Sequence, residues 1–283
     1  MTILTQISNR LHAVYPEGEA KALARWMMEV CFGLTQADIL MGKDKDLSAD
    51  DHRKLENITA RLLKREPVQY ILGVADFGGR QFTVTPDVLI PRPETVEVVN
   101  ELTHQLSSHP ATHDNELHVL DIGTGSGCIA ITIALDLPHT RLTAWDISPA
   151  ALQVAAANAQ KLGASILFEQ KDILHIDKDD RRWDAIISNP PYICQEEASG
   201  MDANVLDFEP HLALFVPNED PLIFYRTIAI FARKHLNKGG LLVFEINRRF
   251  GKETSDLLQA MDFHDINIKN DMYDNPRIIT ARL

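Results

Sequence analysis

From residue 118 to the C-terminus, apolar segments of strand length alternate with segments of helix length. This alternation is typical of a parallel sheet, because parallel neighbours need long crossover connections, most often helices. The predicted strands are His118–Ile122, Leu142–Ile147, Ile166–Gln170, Trp183–Ser188 and Gly240–Ile246, followed by a terminal antiparallel pair, Phe263–Lys269 and Pro276–Leu283. The predicted helices between them are Ile129–Leu135, Pro149–Leu162 and Leu222–Leu236. The sequence therefore predicts an α/β fold with a doubly wound, mostly parallel, seven-stranded sheet.

The chain before this region has a different pattern, and its 283 residues fit two domains. Residues 1–73 carry apolar side chains at helical spacing and are predicted to form a small helical bundle. Within it, Ser48 is expected to be the N-cap of one helix and Gly73 to end the last one. Residues 74–95 are predicted to form a hairpin and a proline-rich connector, and residues 96–283 the α/β domain.

Charge and composition exclude several kinds of partner. The formal net charge is −12, whereas proteins that hold a nucleic-acid backbone usually carry a basic stripe. The densest basic cluster is interspersed with carboxylates and is expected to be a solvated helix face: Arg53, Lys54, Arg61, Lys64 and Arg65. We therefore expect no direct contact with nucleic acid.

The sequence also has no apolar run of about 18 residues, so no membrane span is expected. The three cysteines lie far apart, which favours a reducing compartment and argues against a structural zinc site. We expect a cytoplasmic monomer without a metal ion.

A glycine-rich loop stands where the first predicted strand meets its helix. The segment Asp-Ile-Gly-Thr-Gly-Ser-Gly occupies residues 121–127. Doubly wound sheets bind ligands at the carboxyl ends of their strands, where glycines permit close approach of the backbone. A dinucleotide fingerprint would have its third glycine at position 128, but this residue is a cysteine and the third glycine is Gly127. The spacing disfavours a nicotinamide-dependent oxidoreductase and favours a ligand without pyrophosphate, whose carboxylate lies at the helix start.

Carboxylates follow the next two predicted strands. Asp146 comes nineteen residues after Gly127 and can accept hydrogen bonds from both hydroxyls of a ribose. The alternative is that Asp146 only caps the helix that begins near Pro149. Asp172 and Ile173 end the third strand, where they can border an adenine ring. Because the carboxyl ends of parallel strands meet at one edge, we expect an active site there.

The fourth strand ends at Asn189-Pro190-Pro191-Tyr192. Asn189 and Pro190 each precede a proline, which holds both residues in an extended conformation, and prolines carry no backbone N–H. The loop therefore offers carbonyl oxygens and the Asn189 side-chain oxygen as acceptors beside an aromatic ring. Such a surface suits a planar ligand that donates through an –NH2 group, either a carboxamide or the exocyclic amine of a base.

These motifs, in this order, resemble those of class I S-adenosylmethionine-dependent methyltransferases that act on nitrogen. Three further segments resemble the peptide-release-factor glutamine methyltransferases, the HemK/PrmC family: Arg-Glu-Pro-Val-Gln-Tyr-Ile-Leu-Gly at 65–73, Leu-Ile-Pro-Arg-Pro-Glu-Thr at 89–95, and Phe-Glu-Pro at 208–210 followed by Ala-Leu at 213–214. The resemblance implies a Rossmann-like methyltransferase domain. It also implies methyl transfer to the amide nitrogen (N5) of the glutamine in the Gly-Gly-Gln loop of class 1 release factors, with S-adenosylhomocysteine as the cofactor product.

The resemblance also implies roles for individual residues. The methionyl part of the cofactor would be held by Gly123, Thr124, Gly125, Ser126 and Gly127. Asp146 would bind the ribose, and Asp172 and Ile173 would flank the adenine, although some family members have an aromatic residue at the latter position. Asn189 would lie between cofactor and substrate, and Asn189, Pro190, Pro191 and Tyr192 would bind the glutamine amide, with Asn189, Pro190 and Tyr192 as the catalytic group. The helical bundle is expected to dock the release factor.

Other functions fit parts of this pattern. An N6-adenine methyltransferase of DNA or RNA would place a flipped base on the same acceptor surface. A glutamine methyltransferase acting on a ribosomal protein has the same chemistry with another substrate. A non-catalytic cofactor-binding module would bind the cofactor without transferring its methyl group, so a transfer assay distinguishes it from the enzymes.

Overall fold

The computed structural model describes residues 2–107, 116–176 and 179–283. Its helices are α1 (Ile3–Leu11), α2 (Glu17–Phe32), α3 (Gln36–Leu40), α4 (Ala49–Leu62), α5 (Val68–Leu72), α6 (Pro93–Ser107), α7 (Cys128–Asp136), α8 (Pro149–Leu162), α9 (Ala203–Phe208), α10 (Ile223–His235) and α11 (Gly251–Ala260). Its strands are β1 (Val74–Phe77), β2 (Arg80–Thr83), β3 (Leu117–Ile122), β4 (Thr140–Asp146), β5 (Ile166–Gln170), β6 (Trp183–Ser188), β7 (Ile193–Cys194), β8 (Phe215–Val216), β9 (Leu236–Glu245), β10 (His264–Asn270) and β11 (Pro276–Arg282).

The chain forms two compact units. The first runs to Val74 and also contains Asp202–Phe208, and the second contains Ala75–Met201 and Glu209–Leu283. In the first unit, helices α1, α2 and α4 contribute fully buried side chains to one apolar cluster, among them Leu11, Met27, Met28 and Leu62. The side chain of Ser48 accepts from the N–H of Asp51, whose carboxylate accepts from the N–H of Ser48, so the predicted N-cap of α4 is confirmed.

The second unit is built on the predicted sheet. Within the described residues, seven strands pair in the order β10-β11-β9-β6-β3-β4-β5. The five strands from β9 to β5 are parallel to one another, whereas β11 runs antiparallel to both β9 and β10. The predicted fold class is confirmed. From β3 the chain continues outward through β4 and β5 and then returns to β6 on the other side of β3, so the strand order reverses between β3 and β6. Such a reversal leaves a crevice at the carboxyl ends of the strands.

Helices cover both faces of this sheet. Successive strand residues point to opposite faces, and Val119 and Leu120 of β3 accordingly belong to different apolar clusters. The cluster on one face includes Val99 of α6 and Ile131 of α7, and the cluster on the other includes Ile228 of α10. Burial on both faces explains why the central strands are continuous apolar runs in the sequence.

Two parts of the second unit were not predicted. Helix α11 has few apolar residues, and its buried positions are Gly251, Thr254 and Leu258, so the sequence lacks a clear apolar stripe. Strands β7 and β8 have two residues each and pair in parallel, with the N–H of Ile193 donating to the carbonyl of Leu214 at 3.0 Å. This pairing links the segment after Tyr192 to the segment before β8.

Across the described ranges, every helix is too short or too polar to cross a lipid bilayer.

Candidate active site

The strand register places the glycine-rich loop beside the Asn-Pro-Pro-Tyr turn. In the β3–β6 ladder, Ile122 is paired with Ser188, and the hydroxyl of Ser188 donates to the carbonyl of Ile122 at 2.6 Å. The next residues along the two strands are Gly123 and Asn189. The two motifs are 62 or more residues apart in the sequence (189 − 127 = 62), yet they begin side by side at the carboxyl edge of the sheet.

Both motifs line one cavity of about 230 Å³. Eight of the predicted site residues contribute to its wall: Gly123, Gly125, Asp146, Asp172, Ile173, Asn189, Pro190 and Pro191. Thr124, Ser126 and Gly127 are buried. Tyr192 lines a different cavity. Apolar side chains from several elements complete the wall, including Val88, Ile147, Leu212 and Phe224.

Asp146 both lines this cavity and holds the glycine-rich loop in place. Its Oδ2 accepts from the N–H of Gly125 at 2.8 Å, and its Oδ1 accepts from the N–H of Ser148 at 2.9 Å. Partial burial raises the pKa of Asp146, although backbone N–H groups oppose this effect. The side chain that caps α8 belongs to Ser148, which accepts from the N–H of Ala151. The carboxylate of Asp146 is therefore not the N-cap of that helix.

The backbone of the loop requires its glycines. Gly123, Gly125 and Gly127 all have positive φ angles, of 78°, 54° and 81°. A Cβ atom on Gly127 would lie 2.9 Å from Ile131 Cδ1 and 3.1 Å from Ala155 Cβ, which is too close for an unchanged packing of α7 on α8. Gly127 thus allows the two helices to pack closely behind the loop.

This close packing predicts a stability effect. Gly127→Ala adds both the left-handed strain and a steric overlap, so we expect it to lower the free energy of unfolding by about 2–5 kcal/mol. Gly163→Ala is the matched control, because Gly163 also has a positive φ but its Cβ would have open space; strain alone should cost about 1–2 kcal/mol there. Urea unfolding of both variants measures the difference, and equal losses would refute the role of close packing.

Asp121 is a buried carboxylate behind the loop and was not among the predicted site residues. It has no solvent exposure, and burial raises its pKa to about 7, with the nearby carboxylate of Asp146 adding to this effect. Its Oδ2 accepts from the hydroxyl of Thr124 at 2.7 Å. Its Oδ1 has no hydrogen-bond partner within the described residues. The backbone N–H of Ala130 offsets part of the rise in pKa that burial causes. A negative charge at this position would favour a positively charged ligand group at the loop.

Asp172 and Ile173 follow β5, as predicted. Asp172 caps a short 3₁₀ turn, Ile173–His175, by accepting from the N–H of Leu174 at 2.9 Å. Its other oxygen lies 2.7 Å from Nδ1 of His175. Because the turn is fixed in this way, Ile173 presents an apolar side chain to the cavity wall next to the carboxylate.

The Asn-Pro-Pro-Tyr turn divides between two environments. Asn189, Pro190 and Pro191 line the cavity, and Nδ2 of Asn189 donates to Thr95 Oγ1 at 3.3 Å. The hydroxyl of Tyr192 instead donates to Oε1 of Glu245 at 3.0 Å, and burial raises the pKa of the Tyr192 hydroxyl. A direct contact between the Tyr192 ring and a substrate amide stays a prediction.

An ion pair with a buried carboxylate fixes another wall of the cavity. Glu209, which is 4% exposed, accepts from Nη2 of Arg92 at 2.6 Å and from the backbone N–H of Ile90 at 3.2 Å. These contacts join the proline-rich connector to the segment that continues into the cavity-lining residues Pro210, Leu212 and Ala213. The connector is thus part of the site.

Thr95 and Glu245 were also missing from the predicted site. Thr95 lies in the first turn of α6 and is 2% exposed, and Glu245 ends β9 and is 1% exposed. One signal for Glu245 was present in the sequence: a single carboxylate follows the apolar run 240–244 at the end of a predicted strand. Thr95 gave no such signal beyond its place in the connector motif. Within the described ranges, no cluster of three or more His, Cys, Asp or Glu side chains could hold a metal ion.

Comparisons with known proteins cover both units. Residues 2–73 match the family model described as the PrmC N-terminal domain, and residues 99–206 match the methyltransferase small domain. A release factor glutamine methyltransferase of Bacteroides thetaiotaomicron is 45% identical over 280 residues, which is 99% of this chain and 98% of the relative. A protein of the same name from Flavobacterium psychrophilum is 38% identical, with 97% of this chain and 96% of the relative covered.

Among solved structures, a methyltransferase from Pyrococcus furiosus superposes with a TM-score of 0.52 at 14% identity. The superposition covers 80% of this chain and 98% of that one. At this identity the similarity is evidence for the fold alone, and it agrees with the doubly wound sheet described above.

Proposed function

Because the chain belongs to the release factor glutamine methyltransferase family, we propose that it methylates the glutamine of the Gly-Gly-Gln motif in class 1 peptide chain release factors. The methyl group is transferred to N5, the side-chain amide nitrogen. The observation that supports this most strongly is the pairing of Ile122 with Ser188. Because of this pairing, the glycine-rich loop after β3 and the acceptor-rich turn after β6 begin side by side, and both line one cavity.

The residues of the cavity fit S-adenosylmethionine, the cofactor used by this kind of enzyme. The carboxylate of Asp146 would accept from ribose hydroxyls, and the apolar side chains of Ile147 and Ile173, which line the same cavity, would face a flat ring. Gly123 and Gly125 leave the backbone open to a close approach. When bound, the cofactor supplies an electrophilic methyl group, so the protein has to orient the substrate and exclude water.

An amide nitrogen is a weak nucleophile because its lone pair is delocalised into the carbonyl group. We propose that the side-chain oxygen of Asn189 and the carbonyl of Pro190 accept the two hydrogens of the substrate –NH2. These two bonds fix the plane of the amide and stabilise the positive charge that develops on its nitrogen. Alignment of this kind can remove roughly 7–11 kcal/mol of a barrier. The proton leaves the methylated nitrogen for water, so no strong base is required.

The direct test uses labelled cofactor and purified class 1 release factors, followed by mass spectrometry of the product. The label is expected on N5 of the Gly-Gly-Gln glutamine and is expected to be absent from a release factor whose glutamine is replaced by alanine. DNA, RNA and ribosomal proteins are tested in parallel. Methylation of adenine, or of a ribosomal glutamine in preference to the release factor, would replace the proposed substrate.

We further propose that the N-terminal helical bundle docks the release factor, and that the enzyme works as a monomer in the cytoplasm without a metal ion. A variant lacking residues 2–73 is expected to lose at least about tenfold in kcat/KM on an intact release factor, because it lacks the docking surface. Its affinity for the cofactor should be unchanged.

A short peptide that contains the Gly-Gly-Gln loop serves as the control substrate. Since such a peptide has little to dock, the full-length and truncated enzymes should methylate it at similar rates. Equal activity of the two enzymes on the intact release factor would contradict the docking role of the bundle.

A further inference from the structure

The side-chain amide of Asn189 has an accepting end and a donating end, and only the oxygen can accept a hydrogen bond. The two flipped states of such an amide have nearly the same shape, so the surrounding hydrogen bonds have to select one of them. In the function proposed above, the oxygen has to face the –NH2 group of the substrate. The structure contains a set of contacts that makes this selection.

A buried chain of hydrogen bonds leads from Asn189 to Glu245. Nδ2 of Asn189 lies 3.3 Å from Oγ1 of Thr95, and this hydroxyl lies 2.5 Å from Oε2 of Glu245. The strand register brings the two ends of the chain together, because Ser188 is paired with Phe244 and the residues that follow them are Asn189 and Glu245. Thr95 and Glu245 are 2% and 1% exposed, so water does not compete for these bonds.

The second oxygen of Glu245 is also occupied by a hydroxyl group. Tyr192 donates to Oε1 of Glu245 at 3.0 Å, and Nη1 of Arg277 lies 3.4 Å from the Tyr192 oxygen. Two hydroxyl donors fit the ionised form of Glu245, which accepts at both oxygens, whereas a neutral carboxyl would donate at one of them. The 2.5 Å separation from Thr95 is typical of a hydroxyl bound to a carboxylate.

The donor directions then follow from the number of protons. The hydroxyl of Thr95 has one proton, and this proton points to Glu245. Oγ1 of Thr95 can therefore only accept from Asn189, and the group that donates to it has to be Nδ2. The Oδ1 end of the Asn189 amide is left for the cavity, which Asn189 also lines.

We propose that Thr95 and Glu245 are positioning residues that hold Asn189 with Oδ1 toward the substrate, and that Glu245 does so as an anion. This inference rests on the function proposed above. With a neutral Glu245 the chain could run in reverse: Glu245 would donate to Thr95, Thr95 would donate to Asn189, and Nδ2 would face the cavity. Two –NH2 groups would then oppose each other. With Glu245 ionised, this chain of hydrogen bonds thus selects substrates that donate through –NH2.

Several groups act on the charge of Glu245. Burial raises its pKa, and the nearby carboxylate of Glu94 adds to this effect. The hydroxyl bonds from Thr95 and Tyr192 and the positive charge of Arg277 oppose it, and the hydroxyl of Tyr225 lies 3.3 Å from the Glu245 backbone carbonyl. Because the pKa of Glu245 is raised overall, the rate of methyl transfer should be maximal above that pKa. On acidification the rate should fall at a higher pH than it would with an ordinary carboxyl group.

Two variants of Thr95 give a matched test. Thr95→Val keeps the shape but removes the hydroxyl, and kcat on the release factor should fall roughly ten- to hundredfold, because Asn189 loses the hydrogen bond that fixes its orientation. Cofactor affinity should be unchanged, whereas the melting temperature should fall by a few degrees in Thr95→Val, because the buried carboxylate of Glu245 loses a donor. Thr95→Ser restores the hydroxyl and should recover most of kcat. A wild-type kcat in Thr95→Val, or equal losses in both variants, would overturn the proposal.

The side-chain NH2 signals of Asn189 in the NMR spectrum give a readout that needs no substrate. In the full-length protein they should shift in Thr95→Val and on acidification, and the response to acid should be lost in Glu245→Gln. If the Asn189 signals do not shift in Thr95→Val, the positioning of Asn189 by Thr95 is refuted, whatever the methyl-transfer activity of the variant. If the signals respond but no release factor is methylated, the proposed substrate is wrong while the positioning of Asn189 stands.

Discussion

Replacing Asn189 with alanine is expected to lower the rate of methyl transfer by about 10²–10³-fold, the usual cost of removing one preorganised polar contact to a reacting group. Few other acceptors can replace this side chain, because the neighbouring wall is largely apolar. Without it, the substrate amide loses an acceptor and its plane is no longer fixed. Single-turnover assays on a release factor measure the effect on the transfer step.

The loss in Asn189→Ala should be confined to transfer. Cofactor affinity should change by no more than a few-fold, since the alanine leaves the glycine loop and Asp146 intact. Asn100→Ala is a matched control: Asn100 is an exposed residue of α6, and its replacement should leave the rate within about twofold. Near-normal turnover in Asn189→Ala would remove this side chain from the mechanism.

Replacing Asp146 with alanine is expected to weaken cofactor binding by at least about 100-fold. Hydrogen bonds to a charged group contribute roughly 1.5–3 kcal/mol each, and two ribose hydroxyls are expected to donate to this carboxylate. The bonds from Gly125 and Ser148 are lost as well, so the glycine loop is less well held. Isothermal titration with S-adenosylmethionine measures the change in affinity, and circular dichroism verifies that the variant is folded.

The control for Asp146 is an exposed carboxylate of the same unit. Asp136 ends α7 and forms an ion pair with Arg80, and Asp136→Ala removes a negative charge without touching the cavity. Its cofactor affinity should match that of the unaltered protein. If Asp146→Ala binds the cofactor equally well, the carboxylate only supports the loop and the ribose contact has to be assigned elsewhere.

The residues that could be located from the sequence are those whose conformation depends on their neighbours in the chain. Strands β5 and β6 have the predicted bounds, Ile166–Gln170 and Trp183–Ser188, because each is a short, mainly apolar run that ends in polar residues. The glycine loop and the Asn-Pro-Pro-Tyr turn were placed at strand ends for the same reason. Their approach to each other also followed, since parallel strands end at one edge of a sheet.

The hydrogen-bond partner of Tyr192 could not be located from the sequence. The sequence predicts its ring beside the substrate, which stays a prediction, but it does not indicate that the hydroxyl donates to Glu245 or that the residue lines a second cavity. Helix α11 was missed because its buried face depends on the sheet it packs against and is weakly marked in the sequence. In both cases the deciding neighbour is distant in the chain.

The sequence by itself determined the alternating α/β pattern, the positive-φ loop and a proline-stiffened turn with acceptors and few donors, because backbone sterics and hydrogen-bonding capacity are properties of consecutive residues. Only the tertiary structure decided what each polar group bonds to. Asn189 meets Thr95, which is 94 residues away, and Thr95 meets Glu245, which is 150 residues away. These contacts depend on the order of β3, β6 and β9 in the sheet and on where α6 crosses it, and that order is set by packing of the whole unit.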